Sequence, residues 1–580
     1  MTPAAVVALT CIAIVAVAST VIGSFGVRFA RNTSDFLVAS RTVGPTANAG
    51  AISGEYLSAA SFLGVAGLIL KYGPDALWYP VGFTAGYLAL LLFVSAPLRR
   101  SGAYTVPDFA EFRLRSPGVQ RLCTVFVIII GWMYLLPQLQ GAGLTVATVV
   151  PSLPAWSGMV AAGVVVIATV VFGGMRSITF VQAFQFWLKF TALALPAVVL
   201  VIYVGGNHQP FNRPAPPQFP TDYSVAIKTD VVLRVTQPVT FEADGVVDGV
   251  QTDGLVNWVP GRHTVLSGSQ LNFTAGSSVP IPDGLPIRDS SWLTPLSGDS
   301  NYQLFGIYSL IVATFLGTMG LPHVLVRFYT NPDGRATRRT TVVVLALLGS
   351  FYLLPTLLGA LSRLYVPQLL VSNNTDAAVL LLPTAALGNG TFATLLAGLV
   401  AAGAWAAFLS TSSGLVVGVA GVLSTSPSLF PRGTVRDFRV AAVISGVVPL
   451  GLALVAARLD FSQTVSLAFA VAASTFCPLL VLGIWWSGLT DRGAIAGLLV
   501  GGVASGGAVT LSLFGLDPGG WVGLLLNRPA LITVPAAFLT MTVVSKLTRK
   551  RLLPDVPRLL LRLHAPERLG LSQDRVRRFG

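Results

Sequence analysis

Charge is scarce in this chain. Asp, Glu, Lys and Arg make up 10% of its 580 residues, against about 25% in a soluble domain. Apolar residues reach 53%. That balance excludes a soluble globular protein and leaves room for a dozen or more membrane spans of about 20 residues each. Cysteine is scarcer still: Cys11, Cys123 and Cys477 all fall in apolar segments, so no disulfide framework is expected. There are four histidines, and His323 alone lies at membrane level. With no H-E-x-x-H and no nearby serine nucleophile in sequence, an intramembrane protease is not expected. The chain also lacks a G-x-x-x-x-G-K-[ST] loop, which argues against an ATP-driven pump or kinase. About 30 residues, many of them basic, follow the last apolar run, too few for the large signalling domain of a sensor. The chain is not expected to be an enzyme.

Acidic residues number 23 against 37 basic ones, a net charge of +14. The excess is placed for topology and not for nucleic acid. Arg28, Arg31 and Arg41 precede the second apolar run, Arg99, Arg100, Arg113 and Arg115 follow the third, and Arg327, Arg335, Arg338 and Arg339 follow the seventh. Lys546, Arg549, Lys550 and Arg551 close the last run, whereas the intervening short loops carry almost no basic residue. By the positive-inside rule this pattern predicts a plasma-membrane protein with an outside N-terminus and a cytoplasmic C-terminus. The first run begins at Ala4 with no basic segment before it, so it is expected to be a retained helix.

Apolar runs fall near 4–25, 44–70, 76–97, 120–150, 156–174, 177–204, 303–326, 340–366, 386–424, 438–458, 462–487, 493–514 and 523–545. Thirteen spans agree with termini on opposite sides. The expected fold is an all-α polytopic membrane protein with thirteen transmembrane helices. Two five-helix units starting on opposite sides, at the second and seventh spans, form an inverted repeat. The expected division is a first helix and cytoplasmic loop (1–43), a first repeat (44–205), an insertion (206–301), a second repeat (302–488), two C-terminal helices (489–547) and a basic cytoplasmic tail (548–580). Residues 206–301 open with a proline-rich stretch and continue with β-like alternation, as in VVLRVTQPVTFEADG. They are expected to be a small β-rich extracytoplasmic module, with an irregular connector or a substrate-capturing lid as the other readings.

Two stretches break the apolar pattern. SGEYLSAASFLG runs from Ser53 to Gly64 and AAFLSTSSG from Ala406 to Gly414. Glycine, hydroxyls and one carboxylate, Glu55, lie where polar groups are expensive, so they are expected to line a cavity or bind an ion. Gly/Ser-broken spans in both halves of a polytopic chain point to a secondary transporter. Static polar helices could also line a pore, and saturable uptake with counterflow separates a carrier from that channel reading. Ser410 and Thr411 alone are ambiguous, because membrane-helix hydroxyls commonly bond back to the preceding carbonyl.

Three blocks, SGEYLSAASFLG (53–64), GTMGLPHVLVRFYT (317–330) and AFAVAASTFCPLLVLGIWW (468–486), resemble the sodium:solute symporter family, and within it the acetate and monocarboxylate permeases. FGGMRSITFVQAFQ (172–185) is similar to that family's cytoplasmic signature. The resemblance covers roughly 30–205 and 302–500 and leaves the insertion out. It implies a leucine-transporter-like fold and sodium-coupled import of acetate, propionate or pyruvate by alternating access. Partners are then a small organic anion, sodium as transported ion and the lipid bilayer. The alternatives are a proton-coupled carrier and a sodium:sugar or sodium:amino-acid symporter.

The same resemblance places sodium among backbone oxygens of Gly54, Leu57 and Ala407 and the hydroxyls of Ser410 and Thr411. Gln182 stands where several members carry an aspartate associated with a second sodium, which implies one sodium here. Glu55 is expected either to couple a cation or proton or to serve as a structural hydrogen-bonding group. Lys189 lies thirteen residues past Arg176, about 20 Å along a helix, near mid-bilayer. It is expected either to snorkel or pair with an acid, or to stand in for sodium in a proton-coupled cycle. Tyr56, Phe62, Tyr79, Gln138 and Gln140 are candidate substrate-lining residues, and His323 with Arg327 is expected to shape an inner gate.

Overall fold

The computed structural model describes residues 3–25, 44–103, 105–207, 216–227, 230–296, 302–328, 334–425, 430, 434–456, 461–513 and 518–565. Arg28, Arg31 and Arg41 of the expected cytoplasmic loop, and the end of the basic tail, lie outside these residues. The apolar runs become helices because a helix satisfies its backbone polar groups internally, which lipid cannot do. Helices α1 (Pro3–Phe25), α2 (Pro45–Tyr56), α3 (Val65–Tyr72), α4 (Trp78–Leu90), α5 (Val106–Leu114) and α6 (Pro117–Val149) come first. Helices α7 (Ala155–Gly174) and α8 (Ser177–Gly205) meet at Gly174, whose φ of 65° leaves the helical region.

A seven-stranded sheet follows, and then the second run of helices. These are α9 (Asp289–Leu293), α10 (Gln303–Gly320), α11 (Pro322–Phe328), α12 (Gly334–Tyr365), α13 (Ala378–Leu387) and α14 (Thr391–Ser424). The last are α15 (Val435–Val455), α16 (Phe461–Trp485), α17 (Asp491–Leu513), α18 (Ala530–Leu547) and α19 (Val556–His564).

Among the described residues, twelve helices are long and apolar enough to cross a membrane, where the sequence predicts thirteen spans. The difference lies in 44–100. Helix α2 has 12 residues, about 18 Å at 1.5 Å per residue, short of the roughly 30 Å hydrocarbon core. The apolar stretch Ala60–Arg100 counts as one of the twelve, yet it turns at Gly73 (φ 59°, ψ −135°), between α3 and α4. It contains π turns at Ala60–Gly64 and Leu91–Ser95 and a 3-10 turn at Gly73–Leu77.

Two breaks position the site. α2 ends at Leu57 (φ −78°, ψ 89°), after which the chain passes through Ser58 into the π turn and α3. α10 ends at Leu321 (φ −71°, ψ 115°), and Pro322 explains why, since the residue before a proline is pushed to extended geometry. Helices α8, α12 and α14 pack around α2, α6 lies against α14, and α10 packs against α4 and α16. Gly54 allows α8 to approach α2 closely: a Cβ there would stand 2.3 Å from the Gln182 carbonyl oxygen on α8.

The sheet comprises β1 (Tyr223–Ala226), β2 (Val231–Val235), β3 (Val239–Val247), β4 (Val250–Trp258), β5 (Gly261–Val265), β6 (Gln270–Phe273) and β7 (Ile281–Pro282). Its order is β1-β6-β3-β5-β2-β7, with β4 paired to β3. Asp248 (φ 51°) and Gly249 (φ 79°) turn the β3–β4 hairpin, the residue pair such a turn prefers. Phe219, Phe241, Trp258 and Phe273 fill its core, with ring centroids 4.6–4.8 Å apart.

After the sheet the chain is tied to the helices. Arg363 on α12 pairs with Asp289 at 3.1 Å, Trp292 Nε1 donates to Ile69 O at 2.8 Å, and Asp75 accepts from Leu296 N at 3.1 Å and Gln303 Nε2 at 3.0 Å.

Candidate ion and substrate site

The break after α2 frees carbonyls that a continuing helix would have used, and these face α8 and α14. The Lys189 ammonium on α8 donates to Gly54 O at 2.5 Å, Leu57 O at 2.7 Å and Ser410 Oγ at 2.9 Å. Three of the five residues expected to hold sodium thus surround a lysine nitrogen. The other two stand beside it: Ser410 Oγ lies 3.0 Å from Ala407 O and 2.7 Å from Gly54 O, and Thr411 Oγ1 donates to Glu55 O at 2.6 Å. The donor set, neutral carbonyl and hydroxyl oxygens, has the chemistry a hard cation needs. Lys189 Nζ sits among these oxygens, where such a cation would sit.

Glu55 has no basic neighbour in sequence, yet its carboxylate accepts from Arg327 Nε, 272 positions away on α11. Both side chains are almost wholly buried, at 3% and 1% exposure. A buried charge of this kind is tolerated only when paired and hydrogen-bonded. Arg327 also donates through Nη2 to Gln182 Oε1 and through Nη1 to Thr179 Oγ1, the latter at 3.1 Å. The Gln182 amide nitrogen donates to Ser410 O at 2.8 Å. Gly414 makes room for this arrangement: a Cβ there would fall 2.2 Å from the Glu55 carboxyl carbon.

The candidate substrate residues divide. Tyr56 and Gln138 meet the break: Tyr56 OH bonds Phe83 O at 3.1 Å and Thr318 Oγ1 at 3.0 Å, and Gln138 Oε1 accepts from Ala59 N at 2.9 Å. Phe62 lies in the π turn of the break and Tyr79 packs on Phe83 with centroids 6.4 Å apart, whereas Gln140 points elsewhere. Gln140 turns to α15, 3.5 Å from Ala453 O and Ala456 O. Tyr79 accepts from Arg528 Nη2 at 3.0 Å, and Phe62 packs against Phe351 with centroids 6.4 Å apart.

Residues not anticipated as lining complete the cluster. Phe83 lies 4.9 Å from Phe469, Tyr134 lies 5.9 Å from Phe469, and Tyr134 lies 5.2 Å from the His323 ring. Gln138 Nε2 and His323 Nε2 are buried without a hydrogen-bond partner among the described residues. The signal available in sequence was the spacing of Tyr134 and Gln138, four apart and so on one face of α6. The cluster therefore joins an apolar aromatic wall to a free amide donor beside a broken helix, a combination suited to a small anion with a short apolar tail.

The chain matches the family described as "SSF: Sodium:solute symporter family" over residues 36–241 and 286–501. It is 29% identical, over 525 residues, to a protein of Corynebacterium glutamicum named "Monocarboxylic acid transporter", covering 87% of this chain and 85% of that one. It is 28% identical to "Uncharacterized symporter YwcA" of Bacillus subtilis, covering 90% of each. Its fold is similar to that of a Na+-coupled sialic acid symporter solved in a substrate-bound outward-open state. That similarity has a TM-score of 0.61 at 13% identity and covers 93% of this chain and 98% of that one.

Proposed function

Because the chain belongs to the sodium:solute symporter family, we propose that it imports short-chain monocarboxylates such as acetate, propionate or pyruvate by alternating access, with a coupled cation. The substrate class is supported by the relative named for monocarboxylic acids and by the Gln138 amide facing the broken helix. We read the membrane orientation as N-terminus outside and C-terminus inside, from the arginine and lysine distribution.

The observation that supports our coupling reading is Lys189 Nζ, 2.5–2.9 Å from Gly54 O, Leu57 O and Ser410 Oγ. An ammonium at this place does what a bound sodium would do, bridging α2 to α8 and α14. It differs in that it can give up its charge as a proton. The leading reading is proton coupling: Lys189 holds the three oxygens while protonated and lets them go when the proton leaves on the other side. One proton travels with one carboxylate, so the cycle is electroneutral. The sodium reading keeps the support of the family and of the oxygen-rich donor set.

Uptake of labelled acetate, propionate and pyruvate into proteoliposomes separates the two. Under the leading reading an acidic exterior drives concentrative uptake equally in sodium and potassium, carries no current, and is abolished by Lys189→Ala. A sodium gradient that drives uptake at constant pH overturns proton coupling and restores sodium. If labelled sugar or amino acid is concentrated and no monocarboxylate competes, the substrate reading is wrong.

A further inference from the structure

The site holds a closed ring of polar contacts through four helices. Glu55, next to Gly54 on α2, accepts from Arg327 on α11. Arg327 donates to Gln182 on α8, Gln182 donates to Ser410 O on α14, and the Ser410 hydroxyl returns to Gly54 O. Glu55, Arg327, Gln182 and Ser410 are all buried. One side of the ring is the Glu55–Arg327 ion pair, and the other is the set of oxygens around Lys189. Gln182 is the only side chain among these that bonds to both Arg327 and Ser410.

The chemistry fixes which way that amide points. A guanidinium can only donate, so the Gln182 carbonyl oxygen faces Arg327. A main-chain carbonyl can only accept, so the Gln182 nitrogen faces Ser410. Glutamate at this position would serve Arg327 and set an oxygen against Ser410 O. A leucine would serve neither.

We propose that Gln182 is a positioning residue that ties closure at Glu55–Arg327 to occupation of the neighbouring cation site. The proposal rests on the symport reading above. With the site filled, Ser410 is held between Lys189 and Gly54, and Gln182 transmits that placement to Arg327. When α14 and α2 part, Ser410 O moves from the amide and the hold on Arg327 loosens. The ion pair therefore cannot open while the cation site stays assembled, which is the condition that forbids a leak.

The test uses the purified full chain in detergent, with Cys11, Cys123 and Cys477 replaced and Ser53→Cys as a buried reporter on α2. Thiol labelling of this reporter in Gln182→Leu, which loses both bonds, should run about tenfold or more faster than in the parent, since a single buried bond is worth about tenfold. In proteoliposomes, Gln182→Leu should equilibrate substrate downhill yet fail to concentrate it. Gln182→Glu is nearly isosteric and covers the case in which the leucine variant does not fold. It should keep slow labelling through its bond to Arg327 and still lose concentrative uptake. Gln185→Leu is the structural control: that amide donates to Ser19 Oγ at 2.9 Å outside the ring, and its loss should leave labelling and coupling as in the parent. Unchanged coupling in both Gln182 variants, or a Gln185 variant that behaves like them, overturns the proposal. Failure of the parent to move any monocarboxylate sinks the symport reading instead, a result the labelling rates do not share.

Discussion

At the scale of single residues, two bonds at the break differ sharply in what their loss costs. Thr411 Oγ1 gives one neutral hydrogen bond to Glu55 O, and Thr411→Val should lower stability by about 1 kcal/mol. Glu55→Gln removes the counter-charge of a buried guanidinium, and breaking such a pair costs about 3–5 kcal/mol. Melting in detergent should therefore fall much further for Glu55→Gln than for Thr411→Val. The double variant Glu55→Gln/Arg327→Gln should recover part of the loss, because no lone charge is left behind. A double variant less stable than either single would show that the pair is not the source. Glu55 was legible in the sequence as a costly group at membrane depth. Its partner was not, because Arg327 comes from the far half of the chain and no local pattern joins them.

At the scale of helices, the break in α2 follows from residues visible in sequence: Ser53, Gly54 and Ser58 have weak helical preference, and Pro322 breaks the second helix by forcing Leu321 to extended geometry. What the broken helix touches is a matter of packing. The backbone of α8 comes so near Gly54 that a methyl group would meet the Gln182 carbonyl oxygen at 2.3 Å. Main chain cannot swing aside as a side-chain tip can, so Gly54→Ala should cost about 1–3 kcal/mol by overpacking. The same shift should move Lys189 off the Gly54 carbonyl, and uptake should fall by more than melting alone accounts for. Wild-type uptake and melting in Gly54→Ala would mean that α2 and α8 do not approach this closely. The same limit explains why Gln140 looked like lining: polarity and membrane depth are written in sequence, but which side of α6 faces the break is decided by neighbours.

For the whole molecule, the proposed orientation, drawn from the charge asymmetry, puts the sheet and the basic tail on opposite sides of the bilayer. A thiol reagent that cannot cross membranes should label Ser224→Cys on intact cells and leave Ser572→Cys untouched until they are opened. Labelling of Ser572→Cys from outside reverses the orientation. The segment that follows the sheet is fastened to the membrane helices, since Trp292 on α9 holds the end of α3 through Ile69 O and Asp289 on α9 pairs with Arg363 on α12. Helix α3 is the outer half of the broken helix in that orientation, and its lower end opens onto the cation site. In the proposed orientation α9 thus links the sheet to the outer end of the broken helix. A force applied to the sheet from outside, by a bound protein or a clamp, would be felt at the break without any molecule entering the bilayer.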